Sequence, residues 1–156
     1  MGNIVRSPLA HNLFIHRARE AGVEDKYEIE SAGTGAWHIG EAPDARMRRV
    51  ASRYGLVYDG RARQFRPSDF ERLDLIIAMD TENRDYLFSL ARSRQDKEKI
   101  YLMRDFDPDA GANASVPDPY YGGIAGFEEV FHTVDRSVKG LLAKLEGEEH
   151  RQQEAK

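Results

Sequence analysis

Leu73-Asp74-Leu75-Ile76-Ile77-Ala78-Met79 is a near-continuous apolar run set between two stretches of helical periodicity. A run of that kind reads as a strand buried on both faces, the environment of a parallel sheet with helices on either side. The segments around it supply such helices. Pro8 suits a helical first turn and Ser7 a cap, so a helix is expected from about Pro8 to Ala21, with Leu9, Leu13, Phe14 and Ala18 on its apolar face and Gly22 as its stop. Tyr27–Ser31 alternates and predicts a short strand. A second helix starts at Pro43, carries Met47, Val50, Ala51 and Tyr54 on one face, and ends at Gly55. Phe65 to Leu73 reads as a short helical turn. Asp80 or Thr81 caps a helix through about Ala91, and Lys99–Met103 is a further strand. The polar loop from Arg104 to Gly123 leads into a long helix striped by Phe127, Val130, Phe131, Val134, Val138, Leu141, Leu142 and Leu145.

Strands that alternate with helices predict an α/β fold with a doubly wound parallel sheet. The 156 residues suit one domain, 1–146, with a polar tail at 147–156. A net charge of −4 argues against a nucleic-acid partner. No apolar stretch approaches membrane-span length and no secretory signal is visible, so a cytoplasmic monomer without membrane contact is expected. The absence of cysteine excludes disulfides, thiolate metal sites and, within these residues, cysteine chemistry. No cofactor and no metal are expected. The five histidines lack ligand spacing, and Asp105, Asp107, Asp109 and Gly111 miss the calcium-loop pattern, with Val116 where a glutamate should close it. Those aspartates read as solvated loop acids. Arg46, Arg48 and Arg49 read as the wet face of the second helix, with contact to a phosphorylated partner as the alternative.

The chemistry concentrates at Met1-Gly2-Asn3-Ile4-Val5-Arg6-Ser7-Pro8. Gly and Asn tolerate positive φ, which lets backbone N–H groups converge on an anion ahead of a helix N-terminus. The octapeptide alone fits a frayed terminal turn equally well. Further blocks add to it: Ser31-Ala32-Gly33-Thr34 with Trp37-His38-Ile39-Gly40 and Pro43-Asp44-Ala45-Arg46, then Ala78-Met79-Asp80-Thr81-Glu82-Asn83, then Asp118-Pro119-Tyr120-Tyr121-Gly122.

In order and spacing these blocks resemble the low molecular weight protein tyrosine phosphatases, from Met1 to the final helix. The resemblance implies a flavodoxin-like sheet of order 2-1-3-4 and hydrolysis of phosphotyrosine through a cysteinyl-phosphate intermediate. It implies Arg6 as the fork for two phosphoryl oxygens, with Met1, Gly2, Asn3, Ile4 and Val5 lending backbone donors and Asn3 bracing the loop. Ser7 would aid the thiolate, and Asp118 would act as general acid. Trp37, Tyr120 and Tyr121 would wall a slot for an aromatic ring, although Trp37 also fits an ordinary buried aromatic. Relatives acting on phosphoarginine carry Thr where Ile4 stands and lack the double tyrosine, and arsenate-reducing relatives depend on cysteines absent here.

In this alignment the nucleophilic cysteine falls immediately before Met1. The family's first strand and its cysteine are therefore expected to be missing from residues 1–156, as from a start codon placed too late, and this chain alone is expected to be inactive. Phosphotyrosine proteins, with a cognate tyrosine kinase among them, are the expected partners. The alternative is a non-catalytic phosphate- or phosphoprotein-binding pseudophosphatase.

Overall fold

In the computed structural model the residues described are 6–32, 45–56, 63–117 and 123–154, with side chains described for 125–147 of the last segment. Helix α1 (Arg6–Glu20) is followed by a 3₁₀ turn at Glu24–Lys26, α2 (Ala45–Arg53), α3 (Asp69–Arg72) and β1 (Ile76–Ala78). Then come α4 (Thr81–Leu90), α5 (Arg94–Glu98), β2 (Ile100–Leu102), a 3₁₀ turn at Met103–Phe106 and α6 (Gly123–Glu154). Strands β1 and β2 pair in parallel, Ile76 opposite Ile100 and Ala78 opposite Leu102.

The apolar run at 73–79 feeds two cores because successive side chains of a strand point to opposite faces. Leu75, Ile77 and Met79 pack with α1, α2 and α6 through Leu9, Leu13, Met47, Val50, Phe127, Val130 and Val134. Ile76 and Ala78 join Ile100 and Leu102 against Phe70 of α3 and Leu87 of α4. Helices thus cover both faces of a parallel pair, the α/β arrangement expected.

Several local expectations change. Ser7 is not the cap of α1: it lies inside the first turn with Pro8, whose missing N–H is tolerated because that turn lacks intrahelical acceptors for its donors. Tyr27–Ser31 forms no ladder. Tyr27 is extended (φ −125°, ψ 135°), but no neighbouring strand among the described residues runs beside it, and a strand exists only as one side of a pair. The segment is held by side chains instead, with Tyr27 edge-on to Phe14 at 5.2 Å.

Tyr54, placed on the apolar face of the second helix, lies just past α2 and is 46% exposed, stacked on Phe131 at 4.7 Å. Gly22 and Gly55 do end their helices, with φ of +73° and +72°. Helix α5 had no counterpart in the sequence reading. Helix α6 continues through the expected polar tail to Glu154, and among the described residues no helix is long and apolar enough to cross a membrane. The Pro43 start of α2 lies outside the described residues.

Asp107 overturns its reading as a solvated loop acid. It is 4% exposed, because Arg104, Arg136 and the Asp109 N–H surround its carboxylate and replace the water it loses. Arg48 and Arg49 are exposed, whereas the half-buried Arg46 lies over the Phe127 ring at 4.6 Å.

Candidate active site

Arg6 is the first described residue and opens α1, whose buried face (Leu9, Leu13, Phe14 and Ala18) fixes the helix against α6. Arg17 adds a two-pronged pair to Asp135 of α6 at 2.9 and 2.8 Å. Burial pushes the Asp135 carboxyl up, but its bonds with Arg17 and the nearby Lys139 bring it below its ordinary value. Nδ1 of His11 meets Ser31 Oγ at 3.2 Å and ties the same helix to the block that begins at Ser31.

From this fixed helix the Arg6 side chain, 7% exposed, reaches the carboxyl end of β1. Its Nη1 donates to Asp80 Oδ2 at 2.7 Å and to the Val116 carbonyl at 2.8 Å. Both bonds come from one nitrogen, and among the described residues Nε and Nη2 have no assigned acceptor. An arginine gripped this way is oriented yet keeps a pair of donors for a further ligand. Carboxyl ends of strands in open α/β sheets are where such ligands bind.

Asp80 serves two groups. Its Oδ1 accepts the Asn83 N–H at 2.7 Å as the cap of α4, while Oδ2 holds Arg6. The sequence offered Asp80 or Thr81 as the cap and the structure selects Asp80, whereas the ion pair, which joins residues 74 positions apart, had no local signal. Val116 is equally fixed. Its side chain is 1% exposed, and its N–H donates to the Met79 carbonyl at 2.7 Å, just beyond the end of β1. Beside it the Ser115 hydroxyl accepts the Thr81 N–H at 3.1 Å, and the Ser115 carbonyl accepts Arg104 Nη1 at 3.3 Å. Arg104 in turn donates through Nε to Asp107 Oδ2 at 3.2 Å, and Arg136 of α6 approaches both Asp107 oxygens at 3.3 Å. Burial pushes the Asp107 carboxyl up, yet the Asp109 N–H, Arg136 and Arg104 hold it below the ordinary carboxylate value.

Ser7, half-buried, follows Arg6 in the first turn. The other expected site residues, Met1, Gly2, Asn3, Ile4, Val5, Trp37, Asp118, Tyr120 and Tyr121, lie outside the described residues. The structure therefore brings Arg6 together with groups the sequence had not assigned: Asp80, the Val116 carbonyl and, behind it, Arg104 with Asp107. The block Ala78–Asn83 was the available signal for Asp80. Val116 acts through its backbone, which no residue type encodes.

The chain matches known proteins over nearly its whole length. The profile of the family described as low molecular weight phosphotyrosine protein phosphatase matches residues 1–152. A low molecular weight protein-tyrosine-phosphatase of Streptomyces coelicolor is 46% identical over 145 residues, 92% of this chain and 88% of that protein. One from Bacillus subtilis is 40% identical over 149 residues, covering 95% and 93%. The crystal structure of a protein tyrosine phosphatase from Entamoeba histolytica, with Hepes in the active site, superposes with a TM-score of 0.90 at 37% identity, over 96% of this chain and 94% of that one. The chain therefore belongs to the low molecular weight phosphotyrosine protein phosphatase family.

Proposed function

We propose that this domain hydrolyses phosphotyrosine through a cysteinyl-phosphate intermediate, with the thiolate supplied by a cysteine joined directly ahead of Met1. The observation that carries the reading is Arg6, buried at the carboxyl end of β1 and gripped, among the described residues, through Nη1. Its remaining planar edge fits two oxygens of a phosphoryl group, and the Gly2-Asn3 backbone ahead of it suits the third.

The thiolate attacks phosphorus as the phosphorus–phenolate bond breaks, and Asp118 passes its proton to the departing tyrosine oxygen. Asp118 then takes a proton from the water that attacks the phosphocysteine. The sulfur–phosphorus bond breaks, releasing inorganic phosphate and restoring the thiolate. Ser7 aids the sulfur as leaving group, and Trp37, Tyr120 and Tyr121 wall the ring slot. Phosphotyrosine proteins of the cytoplasm, a cognate kinase among them, are the partners that this chemistry suits.

Residues 1–156 contain no cysteine, and none of Met1, Gly2, Asn3, Ile4 and Val5 carries a nucleophilic side chain to replace a thiolate. Purified 1–156 is therefore expected to release no p-nitrophenolate from p-nitrophenyl phosphate above buffer. The same polypeptide preceded by an apolar strand ending in cysteine should turn over and leave a trappable phosphocysteine. Turnover by 1–156 that disappears in Arg6→Ala would refute the need for the thiol. The lack of cysteine favours a second reading, a phosphate-binding pseudophosphatase. A cysteine-bearing polypeptide that binds phosphate but stays inert would select that reading.

A further inference from the structure

The Arg6 guanidinium is not held by its ion pair alone. Its second acceptor, the Val116 carbonyl, belongs to a loop, and a loop carbonyl orients an arginine only as well as the loop itself is fixed. The described structure fixes this one from behind, through a continuous series of contacts. Arg136 of α6 pairs with the buried Asp107, Asp107 accepts from Arg104 Nε, and Arg104 Nη1 donates to the Ser115 carbonyl, one peptide before the carbonyl that Arg6 uses.

We propose that Arg104, anchored by Asp107, is a positioning residue for Arg6: it sets the Ser115–Val116 backbone and through it the angle at which the guanidinium meets the phosphoryl oxygens. This rests on the phosphatase reading and deepens it.

Three features favour positioning over a surface ion pair. Arg104 serves a carboxylate from Nε and a backbone carbonyl from Nη1, a span between two nitrogens that a planar fork provides and the single nitrogen of an ammonium does not. Its carboxylate partner has a fully buried side chain, so the anchor is not a mobile surface group. The carbonyl it steadies adjoins the carbonyl on Arg6, while the flanking Ser115 hydroxyl and Val116 N–H are already engaged by Thr81 and Met79. Arg104 thus holds the outer side of a segment whose inner side faces Arg6. A misplacement of about 1 Å at a group that meets the transition state can lower a rate by roughly 10²-fold.

The test is a double-mutant cycle in the cysteine-bearing polypeptide, read as kcat on p-nitrophenyl phosphate. Arg104→Lys keeps a cation beside Asp107 and gives up the second arm, so it separates positioning from folding, whereas Arg104→Gln strips the buried carboxylate of one of its partners. Arg6→Lys is expected to be nearly as damaging as Arg6→Ala, because charge without the fork cannot span two oxygens.

In the presence of Arg6, Arg104→Lys should lower kcat about 10-fold with KM for substrate little changed. In the Arg6→Lys background the same change should lower kcat less than about 2-fold, since there is no fork left to aim. Equal losses in both backgrounds, or no loss in either, would overturn the positioning role even where Arg6→Lys is severe. If Arg6→Lys itself retains near-normal turnover, the phosphoryl role of Arg6 fails first and this inference fails with it.

Discussion

Gly140 offers a test of the packing that holds the site loop, because one substitution at two places on the same helix should act with opposite sign. Gly140 and Gly147 both lie within α6. At Gly147 an added Cβ would meet nothing within 4 Å. Gly147→Ala should therefore express helix propensity alone, a gain of roughly 0.5–1 kcal/mol.

At Gly140 the same methyl would lie 3.0 Å from the Phe106 carbonyl carbon and overlap its oxygen. The obstacle is backbone of the 3₁₀ turn at Met103–Phe106, so no rotamer change can relieve it. The turn and the helix would have to separate, at an overpacking cost of about 1–3 kcal/mol, and the upper part of that range applies where backbone must move. Subtracting the propensity gain of about 1 kcal/mol leaves Gly140→Ala roughly 1–2 kcal/mol less stable than the parent. The two variants should then differ by about 2–3 kcal/mol, and with a urea slope of about 1–3 kcal/mol per molar their midpoints should stand about 1 M apart. Urea unfolding followed by circular dichroism, with equal slopes required, measures this directly. A Gly140→Ala variant as stable as Gly147→Ala would show that the turn does not press on the helix.

Two further outcomes follow from the charged groups. Asp135 lies below its ordinary value when folded, so the unfolded chain binds the proton first as pH falls, and the stability it contributes is present above that ordinary value of 3.8 and lost as pH drops through the folded one. Asp135→Asn should therefore flatten the fall in stability between about pH 5 and 2, measured as urea midpoint against pH, and an unchanged slope would refute the assignment. In the cysteine-bearing polypeptide, Asp118→Ala should slow phosphotyrosine hydrolysis by roughly 10²–10⁴-fold and a substrate with a good leaving group much less, because a stable leaving anion needs no proton. Equal losses on both substrates would remove Asp118 from its role as acid.

The elements legible in the sequence were those whose apolar pattern is their own. The stripe of α6 and the apolar run around β1 each bury a face that repeats with a fixed period, and both appear where the pattern puts them. Tyr27–Ser31 carries the alternation of a strand but pairs with nothing among the described residues, since alternation describes side chains and a ladder needs a second backbone. Helix α5 escaped because its five residues expose no apolar face. Its signal was capping: Ser93 accepts the Asp96 N–H while Asp96 accepts the Arg92 N–H.

The site divides along the same line. Arg6 stands out in the sequence because its neighbours form a local motif. Asp80 shares with Thr81 the local signal of a helix cap, and it is Asp80 that forms the cap, yet the oxygen that it turns toward Arg6 answers to a residue 74 positions away. Asp107 was misread for the same reason. An aspartate in a Pro- and Gly-containing loop is ordinarily solvated, and the burial of this one is tolerable because Arg136, 29 residues further on, joins Arg104 and the Asp109 N–H around its carboxylate. The groups that hold the Arg6 guanidinium are thus those whose second partner is long-range. A motif can single out Arg6, but the groups that hold its Nη1, the half-buried Asp80 carboxylate and the Val116 carbonyl, stand 74 and 110 positions away, where only the fold brings them together.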